Sequence, residues 1–464
     1  MDQDYDIAII GSGPGGYVAA IRASQLKLKT ILIERENLGG ICLNWGCIPT
    51  KALLKSAETY ALINHAKDFG ISAENVSFDF NKIIDRSRKV AEINSKGVEF
   101  LMKKNKITVV KGTGKIKSSS QIEVYGENGK KSEISSKHII IATGGRPKSI
   151  PGIEIDGEKV IEYRKAMTLE KKPDSMIIIG AGAIGVEFAY FYSQLGTKVT
   201  IIEMLDSILP IEDREISDML AKSFKRNKVD LHTSAKVESL KKTKKGVDVS
   251  FIINGKTETV SADKALVAIG IQGNVENLGL EALGLKVENG FIPVNEWYET
   301  NVKGVYAIGD ITGPPLLAHI ASHEGIICIE KIAGLSPHAL DYNNIPGCTY
   351  CQPQVASIGM TETTAKEAGY ELAIGRFPYT ASGKARAIGE RDGLVKLIFD
   401  KKYGELLGAH IIGAEATELI AELGIAKTLE TTAEELVKTI HAHPTLSEMI
   451  MEAAGDSLGE AIHI

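Results

Sequence analysis

Two stretches decide the fold, YDIAIIGSGPGGYVAAIRASQLKLKTILIERE at residues 5–36 and SMIIIGAGAIGVEFAYFYSQLGTKVTIIEM at residues 175–204. Each opens on a β-branched run of the kind that forms a buried parallel strand. Each then turns through G-x-G-x-x-G, at Gly11, Gly13 and Gly16 and again at Gly180, Gly182 and Gly185. An alanine-rich amphipathic stretch follows, read as a helix, and then a second strand that ends on an acid. Glu34 stands 23 residues after Gly11, and Glu203 stands 23 after Gly180. The first glycine makes the tight turn, the second leaves room for a pyrophosphate against the backbone, and the third lets the helix pack on the strand. The pyrophosphate rests on the helix N-terminus and the acid accepts from a ribose hydroxyl. One such motif is weak evidence. Two, each in a full βαβ setting with the same acid spacing, predict two dinucleotide sites.

The sites are expected to differ. An acid at Glu203 repels a 2′-phosphate and so favours NAD over NADP, and no arginine follows it before Arg214. HIIIATGGRP (138–147) reads as a buried strand ending in a glycine turn, and TNVKGVYAIGD (300–310) as a strand ending at Gly309–Asp310. A carboxylate just beyond a strand end is placed to hold a ribityl or ribose hydroxyl. FAD is therefore expected at the first site and NAD at the second.

With 464 residues the chain exceeds a single core and implies several domains. Hydrophobic residues make up 44% and charged residues 24%, with a net charge of −5. That balance gives no basic excess for nucleic acid or an anionic membrane. MDQDYDIAII lacks the basic and long apolar regions of a signal peptide, and no run approaches the roughly 18 apolar residues of a membrane helix. A cytoplasmic location is the default, and five cysteines make no disulfide framework.

Two of the five stand close together, Cys42 and Cys47 in GGICLNWGCIPTK (39–51). They could form a metal clamp, a structural bridge or a redox pair. A clamp needs two further ligands, and the nearby sequence supplies none, so no metal site is expected. Five residues of regular helix rise about 7.5 Å, beyond the roughly 4.4–6.8 Å Cα separation of a disulfide. A bonded pair therefore requires a break between them, and Gly46 is the place for it. Beyond residue 340, CTYCQPQVASIGMTETTAKEAG and GLVKLIFDKKYGELLGAHIIG alternate like antiparallel strands, with helices in TELIAELGIAKTLETTAEELVKTI and a boundary at DYNNIPG (341–347). The fold class is α/β, two Rossmann-like dinucleotide-binding domains followed by a C-terminal α+β domain. Cys348 and Cys351 read as buried or strand thiols and Cys328 as core.

GSGPGG, GGICLNWGCIPTK, ATGGRP, GAGAIGVEF, AIGDITGPPLLAHIASHEG and HAHPTLSE together make the chain closely resemble the flavin-dependent pyridine nucleotide-disulfide oxidoreductases over essentially its whole length. The resemblance is greatest to the branch that oxidises dihydrolipoamide for 2-oxo acid dehydrogenase and glycine cleavage complexes. It implies an FAD-binding domain at 1–148 continued at 271–343, an NAD-binding domain at 149–270 and a dimerisation domain at 344–464. It implies a Cys42–Cys47 redox disulfide, with Cys42 exchanging with the substrate sulfur and Cys47 lying against the flavin as a thiolate. Lys51 would approach the flavin and pair with Glu187. His443 would be the base, its ring oriented by Glu448, and His441 a structural neighbour. Thr445-x-x-Glu448 also fits a helix capping box, and both roles can hold because a carboxylate has two oxygens. Further cofactor contacts are implied at Gly114, Ala142, Thr143, Gly144, Asp310, Leu316, Leu317, Ala318 and His319 for the flavin, and at Val237 and Gly270 for the nicotinamide nucleotide. In the family the His–Glu dyad reaches the cysteines of the other subunit, which implies a homodimer with a shared site and lipoyl-bearing proteins as partners. Three rivals differ at particular residues. Glutathione reductase-like enzymes carry arginines for NADP where this chain has Glu203-Met204-Leu205. Mercuric reductase-like enzymes end on a vicinal cysteine pair, and this chain ends GDSLGEAIHI. A non-catalytic assembly subunit would not need Cys42, Cys47 and His443.

Overall fold

The computed structural model describes residues 4–126 and 129–464. It divides into two compact units, one of Met1–Leu53, Asp79–Lys148 and Gly270–Leu340, the other of Leu54–Phe78, Ser149–Ile269 and Asp341–Ile464.

The first unit is built on a parallel sheet in the order Thr108–Lys111, Thr30–Glu34, Tyr5–Ile10, the C-terminal half of Lys131–Ile141, and Val305–Ala307. Ile7, Ile9, Leu32 and Ile139 to Ile141 are fully buried: Ile7, Ile9, Leu32 and Ile140 pack on helical residues such as Ala19, Val98 and Ile329, and Ile139 and Ile141 on Ile116, Ile122 and Val124 across the other face. The N-terminal half of Lys131–Ile141 leaves this arrangement and pairs antiparallel with Gln121–Tyr125, which pairs with Thr113–Ser118. Helices Pro14–Gln25 and Ala318–Ile332 cross closely: a Cβ on Gly325 would meet the Gly15 carbonyl oxygen at 2.8 Å. Helix Phe80–Lys104 is capped by Asp79, which accepts from the Lys82 N–H.

The second unit repeats the parallel plan with Asp230–His232, Lys198–Ile202, Ser175–Ile179, Lys264–Val267 and Val160–Ile161. Three antiparallel strands, Lys236–Lys242, Val247–Ile253 and Lys256–Ala262, cover it and share its core through Val247, Val249 and Phe251. A second sheet is antiparallel throughout, in the order Gly347–Thr349, Gln354–Gly359, Leu406–Gly413, Leu394–Asp400 and Leu372–Pro378. Two of its three inner strands, Leu394–Asp400 and Leu406–Gly413, depart from the expected half-exposed pattern, being buried at every residue. The alternation survives in chemistry rather than in exposure. Val395, Leu397, Phe399, Ala409 and Ile411 face helices Ala416–Thr428 and Glu448–Leu458. Lys396 and His410 face the other way, toward helix Arg214–Arg226. The stretch MTETTAKEAG, expected as strand, forms helix Glu362–Glu367 instead, started by the Thr361 hydroxyl accepting from the Thr364 N–H. Among the described residues no helix is long and apolar enough to cross a membrane.

Candidate active site

The two glycine motifs meet the same three demands. Gly11 has φ 104°, and a Cβ there would meet the Ala142 carbonyl oxygen at 2.2 Å. A Cβ at Gly16 would meet the Gly11 oxygen at 1.9 Å, whereas at Gly13 it would meet nothing within 4 Å. In the second copy Gly180 has φ 103° with the Ala268 oxygen at 2.4 Å, Gly185 has the Gly180 oxygen at 2.1 Å, and Gly182 again opens on space. Gly13 and Gly182 begin helices Pro14–Gln25 and Ala183–Gln194, and no side chain caps either end. Each is an open cradle lined by helix N–H groups, suited to a dinucleotide pyrophosphate.

The acids are held alike. Ser12 donates to Glu34 Oε2 through its N–H at 2.9 Å and its hydroxyl at 2.6 Å, and the Glu36 N–H donates to Oε1 at 2.7 Å. The Ala181 N–H donates to Glu203 Oε2 at 2.7 Å and the Leu205 N–H to Oε1 at 2.8 Å. Backbone donors thus fix each carboxylate as an acceptor beside its cradle. Arg214 is engaged by Asp206 at 2.7 Å and Asp218 at 3.0 Å.

Around the first cradle, the Ala142 N–H donates to the Ile10 oxygen at 2.8 Å and a Cβ on Gly114 would touch Ile10 at 3.2 Å. Gly144 has φ 67°, and Thr143 exchanges hydrogen bonds with Asn274 at 3.0 and 2.8 Å. These residues gather beyond the strand ends, where open α/β sheets bind ligands. Asp310 sits in the turn Gly309–Ile311, its carboxyl pushed up to about 6 by burial and by Glu324. Leu316 and Leu317 lead into helix Ala318–Ile332, whose first two residues are Ala318 and His319. Gly270 has φ 111° and accepts from the Lys148 N–H. Val237 lies in the antiparallel layer and packs into the second unit's core.

Helix Gly40–Trp45 ends at Gly46 and helix Cys47–Asn64 starts immediately after, so the break stands at Gly46, where a sulfur–sulfur approach requires it. Cys42 and Cys47 are both thiols here. A hydrogen bond to Cys47 holds the Cys42 thiol far above its ordinary range; burial adds to this and the Lys51 ammonium opposes it. Asn44, buried, braces the first helix by donating to Leu38 and Gly40 oxygens at 3.0 and 2.9 Å. Lys51 lies on helix Cys47–Asn64, and Glu187 lies buried on helix Ala183–Gln194, where its Oε1 accepts from the Tyr350 N–H at 3.0 Å.

His443 Nδ1 is 2.9 Å from Glu448 Oε1, and the Thr445 N–H donates to Glu448 Oε2 at 2.8 Å. The carboxylate therefore holds the ring and the Thr445 backbone at once, but the Thr445 hydroxyl donates to the Ala442 oxygen at 2.7 Å and no side chain caps the helix at Ser447, so only the reciprocal half of the expected capping box forms. Burial raises the Glu448 carboxyl, but the Thr445 N–H and His443 outweigh it and leave it below its ordinary value. The His443 side chain is 81% exposed, whereas His441 is 5% exposed and held by Glu422 at 2.7 Å, as a structural neighbour would be. Cys351 is buried with its thiol on the Pro353 oxygen, Cys348 is a half-buried strand residue and Cys328 is core. Among the described residues no cluster could hold a metal ion. Sequence reasoning missed Asn44, Arg86, Ser87 and Arg88. The last three form a Arg-Ser-Arg run whose partners are backbone oxygens far off in sequence.

Residues 5–325 match the pyridine nucleotide-disulphide oxidoreductases and residues 345–454 match the dimerisation domain of the same proteins. The chain is 50% identical to a dihydrolipoyl dehydrogenase of Rhizobium etli and 46% identical to one of Bacillus subtilis, each over the full length of both chains. Among solved structures, LpdA of Mycobacterium tuberculosis overlays with a TM-score of 0.91 at 27% identity, covering 97% of this chain and 99% of that one. The HOCl-induced flavoprotein disulfide reductase RclA of Escherichia coli overlays with a TM-score of 0.87 at 27% identity, covering 97% and 99%. The chain belongs to the pyridine nucleotide-disulphide oxidoreductase family, in its dihydrolipoyl dehydrogenase branch.

Proposed function

We propose that the chain oxidises dihydrolipoamide on lipoyl-bearing proteins of 2-oxo acid dehydrogenase or glycine cleavage complexes, using Cys42 and Cys47 as its redox pair. The observation that carries this is the hydrogen-bonded thiol pair astride the Gly46 break, in a chain with two open dinucleotide cradles. FAD and NAD supply, when bound, a two-electron relay from the thiol pair to a diffusible hydride carrier. Gly11, Gly13, Gly16, Glu34, Lys51, Gly114, Ala142, Thr143, Gly144, Asp310 and Leu316 to His319 would hold the first. Gly180, Gly182, Gly185, Glu187, Glu203, Val237 and Gly270 would hold the second.

His443 takes a proton from a dihydrolipoamide thiol, and Glu448, already on Nδ1, stabilises the charged ring. The resulting thiolate attacks Cys42 of the oxidised pair, breaking the Cys42–Cys47 bond and forming a mixed disulfide. The second substrate thiol passes its proton to the departing Cys42 sulfur as it displaces it, releasing lipoamide and leaving Cys42 as a thiol and Cys47 as a thiolate. The raised proton affinity of Cys42 makes it the sulfur that takes up this proton, so the negative charge rests on Cys47, with Lys51 close to the pair. The exposure of the His443 ring supports a site completed by a second subunit, hence a homodimer. A reducing, cytoplasmic setting goes with this use of sulfur.

The backbone-held Glu203 and the engaged Arg214 favour NADH over NADPH. Reduction of lipoamide, oxidised glutathione and Hg(II), each with NADH and NADPH side by side, tests the reading. Lipoamide with NADH is the expected pair, and preference for glutathione with NADPH overturns it. His443→Ala is expected to lower dihydrolipoamide turnover by about 10²–10⁴ with flavin content unchanged, and near-normal turnover refutes the assignment of the base.

A further inference from the structure

Three consecutive residues of helix Phe80–Lys104 grip the backbone of the cysteine segment. Arg86 Nη1 donates to the Ala52 oxygen at 2.7 Å, Ser87 Oγ to the Pro49 oxygen at 2.9 Å and Arg88 Nη2 to the Asn44 oxygen at 2.7 Å. Asn44 is the penultimate residue of helix Gly40–Trp45, so its carbonyl is one of those the Gly46 break leaves without a helical partner. The same guanidinium lies 4.7 Å from the centre of the Trp45 ring. Arg88 thus touches the two residues that join the Cys42 helix to the break.

Its other surroundings are unusual for an arginine. Among the described residues no carboxylate pairs with it, its Nε–H is buried without an acceptor, and burial depresses its basicity. Withdrawing a cation from water without a counter-charge is unfavourable, and an apolar side chain would fill the place with less desolvation. What an apolar side chain cannot supply is a rigid plane that bonds a carbonyl along one edge and stacks on an indole with its face.

We propose that Arg88 is a positioning residue for the redox pair: it fixes the end of the Cys42 helix at the Gly46 break and so sets the effective concentration of one sulfur at the other. The proposal rests on the reading of Cys42 and Cys47 as that pair. Joining them removes two electrons and two protons and demands a short Cα separation that an unbroken helix denies. The geometry of the break therefore decides how readily the bond forms. Arg88 acts through the backbone, since the proton affinity of Cys42 is governed by Cys47, burial and Lys51.

The test uses the full-length, flavin-loaded enzyme, equilibrated in glutathione buffers of graded thiol-to-disulfide ratio. The oxidant is glutathione disulfide, which takes the two electrons and leaves as two thiols. Quenched alkylation and mass measurement of the peptide carrying Cys42 and Cys47 give the oxidised fraction. Arg88→Met is expected to lower the dithiol-to-disulfide equilibrium constant about tenfold, or about 30 mV for a two-electron couple, with the KM for NADH unchanged. Arg88→Lys keeps the charge but not the plane and is expected to lose most of the same factor. A lysine variant equal to wild type beside a weakened methionine variant assigns the effect to charge and overturns the proposal. Trp45→Leu removes the stacking partner and is expected to lower the constant at least threefold, which keeps the proposal testable if Arg88→Met does not fold. A wild type whose two sulfurs never join removes the pair itself. A wild type that joins them, with an Arg88→Met variant to match, overturns the positioning role alone.

Discussion

Gly13 and Gly16 carry the same side chain for opposite reasons. At Gly16 an added methyl would drive into the Gly11 carbonyl, a backbone atom that cannot swing aside, whereas at Gly13 it would enter open space. Gly16→Ala should therefore destabilise the protein by about 1–3 kcal/mol as overpacking does. Gly13→Ala should change stability by no more than about 0.5 kcal/mol and instead weaken flavin retention at least tenfold. Thermal melts and flavin release measured on both variants check this, and the reverse order of effects would contradict the cradle geometry. The roles of these glycines were legible in the sequence because motif and partners are local. The backbone donors on Glu34 and Glu203 were not, although they too are local. Spacing names an acid but does not say how many of its lone pairs the Ser12, Glu36, Ala181 and Leu205 amides already occupy.

At the scale of elements, helix Glu448–Leu458 shows how one carboxylate serves fold and chemistry together. Glu448→Gln keeps an oxygen for the Thr445 N–H but, in that orientation, turns an amide donor toward His443. Turnover of dihydrolipoamide is expected to fall at least tenfold while the melting temperature stays within a few degrees. Glu448→Ala should lose the same activity and also the bond from the Thr445 N–H, about 0.5–1.5 kcal/mol. Steady-state rates and melts on the pair separate the two roles. The His443–Glu448 contact was readable from HAHPTLSE because the partners lie within six residues, whereas of the capping box only the bond from the Thr445 N–H to Glu448 forms, the Thr445 hydroxyl being taken by Ala442. Helix Phe80–Lys104 was opaque for the opposite reason. Arg88 and its Asn44 carbonyl are 44 positions apart, and no spacing rule connects a side chain to a distant backbone oxygen. Strands Leu394–Asp400 and Leu406–Gly413 misled because alternation predicts one wet face, and both of their faces are covered.

Across the whole second unit, a row of polar side chains crosses the antiparallel sheet. Ser357, His410, Lys396 and Arg376 stand opposite one another in register on successive strands. Facing them are Asp213 and Glu215 of the nucleotide-binding portion, with Glu362 of helix Glu362–Glu367 beside them. Lys396, 2% exposed, contacts Asp213 at 2.9 Å, Glu215 at 3.2 Å and Glu362 at 2.8 Å, and Arg376 contacts Glu215 at 3.0 Å. Asp213 also caps helix Arg214–Arg226, accepting from the Glu215 N–H. Lys366 and Lys396 hold the Glu362 carboxyl at about 2, below its ordinary 4.5. A depressed carboxyl stabilises the fold above its unfolded value, so this contribution is lost as pH falls from about 4.5 to about 2. Burial lowers His410 below its ordinary 6.5, favouring the neutral ring, so stability begins to fall earlier, as pH drops below 6.5. Lys396→Met leaves the buried Asp213 carboxylate without its cation and should destabilise by about 3–5 kcal/mol. It should also flatten the acid limb of the melting temperature against pH. An unchanged acid limb would remove Lys396 from this account.

That row sets a rule for splicing. The two family matches end at residue 325 and resume at residue 345, which makes the gap an inviting seam for building chimeras from relatives. A crossover there parts Asp213 and Glu215 from Lys396 and Arg376, donor by donor. Hybrids should tolerate the exchange only when the acids at 213 and 215 travel with the cations they were matched to.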